Sequence, residues 1–193
     1  MLPDQRFEAV LAASQAGEEW ALAALYRSLQ PALLAYLRTR RPGDAEDLAA
    51  ETWIAAARAL RRFRGGEDDF RRWIFTIAHR RLLDLQRADR RRPPTVRAAN
   101  PDSDPAAPAA ETEALDALAA REALERIASL PPAEAEVVLL RVVAGLSAAD
   151  VGAITGRSPG AVRVLQHRAL RRLANMSGLM SEVLVTLSGS PAM

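Results

Sequence analysis

Apolar side chains recur every three or four residues along most of this chain, which is the spacing of one face of an α-helix. Alternation of apolar and polar residues over the length of a β-strand is hard to find. The pattern therefore predicts an all-α protein. A first helix is centred on Phe7 and Leu11, and a second runs from Trp20 through Leu29, where Pro31 is expected to break it and restart a turn.

Two further helices complete a predicted N-terminal bundle. Asp44 stands at the expected N-cap of the third helix, which extends to Phe63. Residues 64–69, RGGEDD, form a short loop. The fourth helix starts near Asp69 and ends where a run of arginines meets Pro93.

A segment poor in large apolar residues follows this bundle. Residues 93–114, PPTVRAANPDSDPAAPAAETEA, are rich in Pro, Ala and Asp, so they predict a flexible acidic linker. Fully stretched at about 3.3 Å per residue, it reaches roughly 70 Å. The predicted organisation is a helical domain over residues 1–92, the linker, a second helical domain over residues 115–175, and a short tail over residues 176–193 with no assigned role.

The second domain ends in the pattern of a helix-turn-helix. Ser147 is a predicted N-cap with Asp150 at the capping-box position, and Gly156 ends that helix. Ser158 caps the next helix, with Pro159 at its first position. Two short helices joined by a tight turn that contains glycine form the helix-turn-helix that enters the DNA major groove.

Charge is segregated along the chain although the net charge is only +2. All 26 basic residues are Arg, and residues 137–175 hold six of them with one Asp, whereas residues 101–125 hold seven acidic residues and one Arg. Residues 80–92 form another basic block before the acidic segment. Basic segments on both sides of an acidic one favour contact with nucleic acid at two places. The absence of Cys excludes disulfides and thiolate chemistry, and no leader or membrane-spanning pattern is found, so a cytoplasmic location is predicted.

The second helix of the motif carries the candidate DNA contacts. Its outward positions predict contacts to base edges, and the flanking arginines predict contacts to phosphates. The full set is Arg157, Ser158, Gly160, Arg163, Val164, Gln166, His167, Arg168, Arg171 and Arg172. An Arg-rich, solvated helix face in an ordinary bundle is the alternative.

Two features of the N-terminal bundle permit a functional and a structural interpretation. Acidic residues crowd the start of the third helix, where they complement the helix dipole or form a docking face for a protein. Aromatic residues and arginines share the fourth helix, an arrangement suited to single-stranded nucleic acid, although core packing explains most of its apolar residues. Phe75, off the expected core face, is the better candidate for stacking on a base.

Three blocks of the sequence together resemble one family. They are DAEDLAAETW, FRGGEDDFRRWIFTIAHRRLLDLQR and LPPAEAEVVLLRVVAGLSAADVGAITGRSPGAVRVLQHRALRRL. In this order and spacing they resemble bacterial RNA polymerase sigma factors of the extracytoplasmic-function (ECF) group, which retain the second and fourth conserved sigma regions. The resemblance implies an alternative sigma factor, without catalytic residues or cofactors, that directs initiation at specific promoters.

The resemblance also assigns roles to residues. It implies that the third helix docks on the clamp coiled coil of core RNA polymerase through Asp44, Asp47, Leu48, Glu51 and Trp53. It implies that the second domain recognises the minus-thirty-five element as duplex DNA. It implies that the first domain binds and melts the minus-ten element, partly as single strands, through Arg64, Gly65, Gly66, Phe70, Trp73, Phe75, Arg80 and Arg87. An anti-sigma factor is a further implied partner.

Departures from the family pattern leave the promoter sequence open. Ala50, Arg80, Ala135 and Gly160 stand where the family often has Gln, Asn, Arg and Thr. A helix-turn-helix regulator with an N-terminal sensing or dimerisation domain is the alternative function. An enzyme is disfavoured, because the chain has two His, no Cys and no Gly-rich phosphate loop.

Overall fold

The computed structural model describes the backbone of residues 4–91 and 111–188 and the side chains of residues 6–91 and 118–176. Within these ranges the chain contains helices and no β-strand, which confirms the predicted all-α class. Helices α1 to α4 are Asp4–Ala16, Glu19–Arg40, Ala45–Ala59 and Glu67–Arg91, and helices α5 to α8 are Glu111–Ala128, Pro132–Val138, Ala148–Thr155 and Pro159–Ser188. We call the first four helices the first domain and the last four the second domain.

Helix α2 is the central support of the first domain. Its apolar stripe is buried against α1, α3 and α4, with Leu33, Tyr36 and Leu37 fully enclosed. The helix passes through Pro31 without ending, so the predicted break at this proline is wrong. Burial of the stripe on both sides of Pro31 offsets the loss of one backbone hydrogen bond.

The chain enters α3 through a short 3₁₀ turn, Pro42–Asp44. Asp44 is the N-cap residue of α3, as predicted, but its side chain accepts no hydrogen bond from the backbone of the first turn. The carboxylate of Asp44 instead pairs with the Arg41 guanidinium at 3.0 Å. A second 3₁₀ turn, Leu60–Arg62, follows α3 and leads into the loop before α4.

The second domain contains the predicted helix-turn-helix as α7 and α8. The Ser147 hydroxyl accepts a hydrogen bond from the Asp150 N–H at 3.1 Å, and the Ser158 hydroxyl accepts one from the Ala161 N–H at 3.2 Å. Both predicted caps are therefore confirmed. A π-helical turn, Leu139–Val143, joins α6 to the loop before α7.

Several boundaries differ from those expected. Helix α3 ends at Ala59, before the predicted end at Phe63, and α4 starts at Glu67, inside the predicted loop of residues 64–69. Helix α5 starts at Glu111, four residues inside the predicted linker, and α8 continues to Ser188, well into the predicted tail. The rest of the predicted linker lies outside the described residues. No described helix is long and apolar enough to span a membrane.

The two domains pack against each other. Helix α2 contacts α5 and the π-helical turn, and α4 contacts α7. The buried apolar residues of both domains, from Phe7 to Ala169, form one contiguous cluster. The sequence pattern predicted two separate helical units and gave no sign of this interface, because apolar periodicity does not say which neighbour a face contacts.

Candidate nucleic-acid and polymerase interfaces

The turn between α7 and α8 depends on two glycines. Gly156 has a φ of +69°, a left-handed conformation that glycine adopts without steric cost. Gly152 of α7 lies against the backbone of Arg157 in the turn. A Cβ at Gly152 would be only 2.5 Å from the Arg157 carbonyl oxygen, so a larger side chain does not fit there. These two positions set the close approach of α7 to α8.

One face of α8 projects into solvent beside this turn. Its exposed members recur at spacings of three and four residues and so lie along one side of the helix. They are Gly160, Arg163, Val164, His167, Arg168 and Arg171. We call this set the α8 face. The opposite side holds Val162 and Ala169, which are fully buried.

Three of the other predicted DNA contacts are engaged within the second domain. Arg157 donates a hydrogen bond to a carboxylate oxygen of Glu136 at 3.1 Å. The Gln166 side-chain oxygen accepts one from Arg141 at 3.0 Å, and Arg172 pairs with Glu134 at 3.1 Å. Fewer of the predicted DNA-contacting side chains are therefore without a partner inside the domain than the sequence pattern predicted.

A second arginine-bearing face lies on α4 of the first domain. It holds Trp73, Arg80 and Arg87, which are spaced seven residues apart and so lie on one side of the helix. We call these three residues the α4 face. Arg80 and Arg87 are exposed, and the half-buried Trp73 ring stacks on Phe63 with centroids 5.0 Å apart. Trp73 therefore has an anchored ring that is still accessible to solvent.

Two aromatic residues predicted to contact DNA lie in the core instead. Phe70 is 2% exposed and packs among Phe7, Phe63 and Trp73. Phe75 is fully buried, with its ring edge-on to Tyr36 at 5.8 Å. The predicted stacking role of Phe75 is therefore wrong for this conformation. The sequence placed it off the core face, but α2 and α4 enclose it.

The loop between the 3₁₀ turn and α4 brings backbone groups to the surface beside the α4 face. Arg64, Gly65 and Gly66 are all exposed, and the Gly66 N–H donates to the Asp69 carboxylate at 3.2 Å. Gln15 of α1 donates hydrogen bonds to the carbonyls of Leu60 and Phe63 at 3.0 and 2.9 Å. No local pattern predicts this support, because Gln15 is 45 residues or more from its partners in the sequence.

The surface of α3 combines acidic and apolar groups. Asp47 and Glu51 are exposed, whereas Leu48 is 5% exposed and belongs to the core, so its predicted place on a docking face is wrong. Trp53 is half-buried, and its indole N–H donates to Gln30 at 2.7 Å. The hydrogen bond from Arg38 lowers the pKa of Glu46 next to this face.

Exposed apolar side chains of α2 and α3 extend the same surface. Tyr26 is 41% exposed and Ile54 51%, and the Tyr26 ring lies 5.1 Å from that of Trp53. Contiguous exposed aromatic groups beside carboxylates are typical of a surface that binds another protein.

A buried polar cluster lies where the two domains meet. The Tyr36 hydroxyl is 3.0 Å from Nδ1 of His79, which is 3.5 Å from a carboxylate oxygen of Glu136. Burial lowers the pKa of His79, against the opposing effect of Glu136, and burial also raises the pKa of Tyr36. The histidine is therefore held neutral and the phenol protonated near neutral pH.

Comparison with known proteins agrees with this two-domain arrangement. Residues 25–92 match the family model for sigma-70 region 2, and residues 120–173 match that for sigma-70 region 4. The ECF RNA polymerase sigma factor ShbA of Streptomyces griseus is 40% identical over 168 residues, covering 81% of this chain and 87% of that protein. The ECF RNA polymerase sigma factor SigD of Mycobacterium tuberculosis is 35% identical over 175 residues, covering 88% and 82%. The structure of CnrH in complex with the cytosolic domain of CnrY has a similar fold, with a TM-score of 0.57 and 23% identity over 90% of this chain and 97% of that chain.

Proposed function

This chain belongs to the ECF group of the sigma-70 family, whose members bind core RNA polymerase and direct initiation at specific promoters, and we propose how its surfaces divide that work. It is an initiation subunit of RNA polymerase. The observation that carries the division is that each matched region forms its own helical domain with an exposed arginine-bearing face.

In this proposal the α8 face recognises the minus-thirty-five element as duplex DNA. Arg163, Val164 and His167 contact base edges, since they lie near the N-terminal end of the helix that enters the major groove. Arg168 and Arg171 contact phosphates, which orient the domain without reading sequence. Arg157 joins these contacts when its pairing with Glu136 is exchanged for a phosphate.

The loop of residues 64–66 and the α4 face bind the minus-ten element. The anchored Trp73 ring offers a platform for an unstacked base, and Arg80 and Arg87 follow the backbone of the separated strand. Extruding a base costs a few kcal/mol of unstacking, which binding of the extruded base offsets. Phe70 and Phe75 support this face from the core.

The acidic and apolar surface of α2 and α3 docks on the clamp coiled coil of core polymerase in this proposal. Asp47, Glu51 and Trp53 come from the predicted set, and Tyr26 and Ile54 add apolar area that the sequence pattern did not assign. An anti-sigma factor is a further proposed partner, since the similar CnrH was solved in complex with a domain of CnrY. We place the activity in the cytoplasm, where polymerase and promoters meet.

Run-off transcription tests the function as a whole. Purified core polymerase is incubated with promoter fragments from the source genome, with and without this protein. Specific transcripts that appear when the protein is added are the expected result. If none appears and the protein does not co-migrate with core polymerase on a sizing column, the function is that of a conventional helix-turn-helix regulator.

Two substitutions on one helix separate base contacts from phosphate contacts. Arg163→Ala should weaken binding of the polymerase complex to the specific upstream element by about 1–3 kcal/mol while leaving binding to scrambled duplex little changed. Arg171→Ala should weaken both by similar factors and reduce the salt dependence. Equal losses on both duplexes for Arg163→Ala would remove it from the base-reading set.

A further inference from the structure

The loop that bears proposed minus-ten contacts is held at its start by a residue of another helix. The side-chain amide of Gln15, near the end of α1, donates hydrogen bonds to the carbonyl oxygens of Leu60 at 3.0 Å and Phe63 at 2.9 Å. An amide nitrogen has two N–H donors, so these contacts use its full donor capacity. Gln15 precedes residues 25–92, the part of the chain that matches sigma-70 region 2.

The two carbonyls lie where α3 ends and the loop begins. The last carbonyls of a helix have no partner within that helix and take donors from elsewhere. The Leu60 carbonyl accepts from the Phe63 N–H across the 3₁₀ turn at 3.0 Å, and Gln15 supplies a second donor. The Phe63 carbonyl directly precedes Arg64. Its position therefore fixes the direction in which the loop leaves the turn.

The far end of the loop is fixed by Asp69. Its carboxylate accepts a hydrogen bond from the Gly66 N–H at 3.2 Å. Gly65 has a φ of +140°, and a Cβ there would be 2.7 Å from the Asp69 Cβ, so the backbone lies directly against this side chain. Residues 64–66 are thus exposed between two fixed ends. A loop that is ordered before it binds loses less conformational entropy on binding.

Phe63 also links the loop to the α4 face. Its ring stacks on Trp73 with centroids 5.0 Å apart, and it meets the Phe70 ring edge-on at 5.4 Å. Helix α1 adds a second support, because the Phe7 ring lies 5.8 Å from that of Phe70. A shift of the Phe63 backbone would move the ring on which Trp73 rests. The hydrogen bond from Gln15 therefore bears on both the loop and the proposed platform for an unstacked base.

Arg64 shows why the second donor to Phe63 matters. Its guanidinium donates to the Phe63 carbonyl at 2.7 Å and to the Arg61 carbonyl at 3.0 Å. When Arg64 turns to a phosphate of the separated strand, the Phe63 carbonyl loses that donor. The Gln15 amide remains in place. The start of the loop therefore keeps its position while Arg64 is bound to DNA.

We propose that Gln15 is a positioning residue for capture of an unstacked base of the minus-ten element. The inference rests on the proposed function of the loop and the α4 face, and it adds a residue of α1 that acts without contacting DNA. Gln15 acts through Phe63, whose carbonyl and ring hold the loop of residues 64–66 and the Trp73 ring in one relative position.

Binding of single-stranded DNA to core polymerase reconstituted with this protein tests the role. The probe is the non-template minus-ten strand of a promoter that run-off transcription identifies. A series of the same strand has each base removed in turn to leave an abasic site. The ratio of the affinities for the intact and the abasic strand measures how well that base is captured. Partial unfolding of a variant lowers the active concentration in both titrations equally, so it leaves this ratio unchanged.

Two substitutions remove the donors of Gln15. Gln15→Met keeps the length of the side chain, and Gln15→Glu keeps its shape but presents a carboxylate, which only accepts. We expect both to lower the ratio at the captured base by roughly three- to tenfold, as for the loss of one hydrogen bond. Gln15→Lys retains donors on a side chain of similar reach and should keep most of the ratio.

Ser14→Ala is the matched control on the same helix. It removes a hydrogen bond of 2.8 Å from the Ser14 hydroxyl to the Leu11 carbonyl, which lies within α1, and it should leave the ratio unchanged. An unchanged ratio for both Gln15→Met and Gln15→Glu would overturn the positioning role and leave the proposed minus-ten site intact. If the unsubstituted complex shows no preference for an intact base at any position, the proposed minus-ten site fails, and the positioning role fails with it.

Discussion

At the scale of single residues, nearby side chains on one helix have opposite environments. Arg80 and Trp73 of α4 reach solvent, whereas Phe75, between them, is fully enclosed. We expect Phe75→Ala to lower the free energy of unfolding by about 3–5 kcal/mol, because a buried ring is replaced by a cavity. Urea unfolding measures the change in stability. Arg80→Ala is the control: it should leave the free energy of unfolding unchanged but reduce promoter opening in transcription assays. A stability loss below about 1 kcal/mol for Phe75→Ala would contradict its place in the core.

His79 should make stability depend on pH. Its surroundings are Tyr36 and Arg40 of α2, Glu136 of α6 and Arg157, and burial keeps its pKa below the ordinary value of 6.5. The unfolded chain therefore takes up a proton at a higher pH than the folded chain does. The free energy of unfolding should fall as pH drops below about 6.5, until the folded-state pKa is passed.

Chemical unfolding at a series of pH values between about 7.5 and 5 measures this dependence, a range that brackets the ordinary pKa of histidine. His79→Gln removes the titrating group and should flatten the profile in that window. Identical profiles for His79→Gln and the unsubstituted protein would show that His79 does not titrate differently on folding.

At the scale of elements, the helix-turn-helix depends on the close approach of its two helices. We expect Gly152→Ala to lower the free energy of unfolding by about 1–3 kcal/mol, since the new Cβ meets the Arg157 carbonyl oxygen and the backbone has to shift. Gly160→Ala is the matched control, because a Cβ there meets only the Ser158 hydroxyl at 4.0 Å, an ordinary contact, and alanine should raise helix stability by up to about 1 kcal/mol. Thermal unfolding of both variants measures the difference, and equal melting temperatures would contradict the close approach.

The elements that could be predicted from sequence are those with local causes. Ser147, Gly156 and Ser158 act on backbone groups within a few residues, so the caps of α7 and α8 followed from the pattern. Pro31 did not end α2, because tertiary burial of the flanking stripe outweighs a local preference. The face of Phe75 was assigned wrongly for a related reason, since periodicity gives a face but not its neighbour.

At the scale of the whole molecule, one contiguous core implies that the two domains unfold together. All three Trp, at positions 20, 53 and 73, lie in the first domain, so their fluorescence reports that domain alone. We expect Val162→Ala, a core truncation in the second domain, to lower the urea midpoint detected by Trp fluorescence. Arg40 of the first domain lies 3.5 Å from the buried Glu136 carboxylate of the second, so Arg40→Glu should reduce that shift by weakening the contact between the domains. A midpoint unaffected by Val162→Ala in the otherwise unsubstituted protein would show that the domains are already independent.

The Glu136 carboxylate, which lies 3.5 Å from Arg40 of the first domain and 3.1 Å from Arg157 of its own, has a consequence for protein engineering. Sigma factors are natural candidates for hybrids, in which the promoter-melting half of one is fused to the upstream-reading half of another. If the upstream-reading half comes from a sigma factor without an acid at the position of Glu136, Arg40 of this chain has no carboxylate partner in the hybrid. Such a hybrid would lose this contact between its halves, and its unfolding would show how much the contact contributes to stability in the parent.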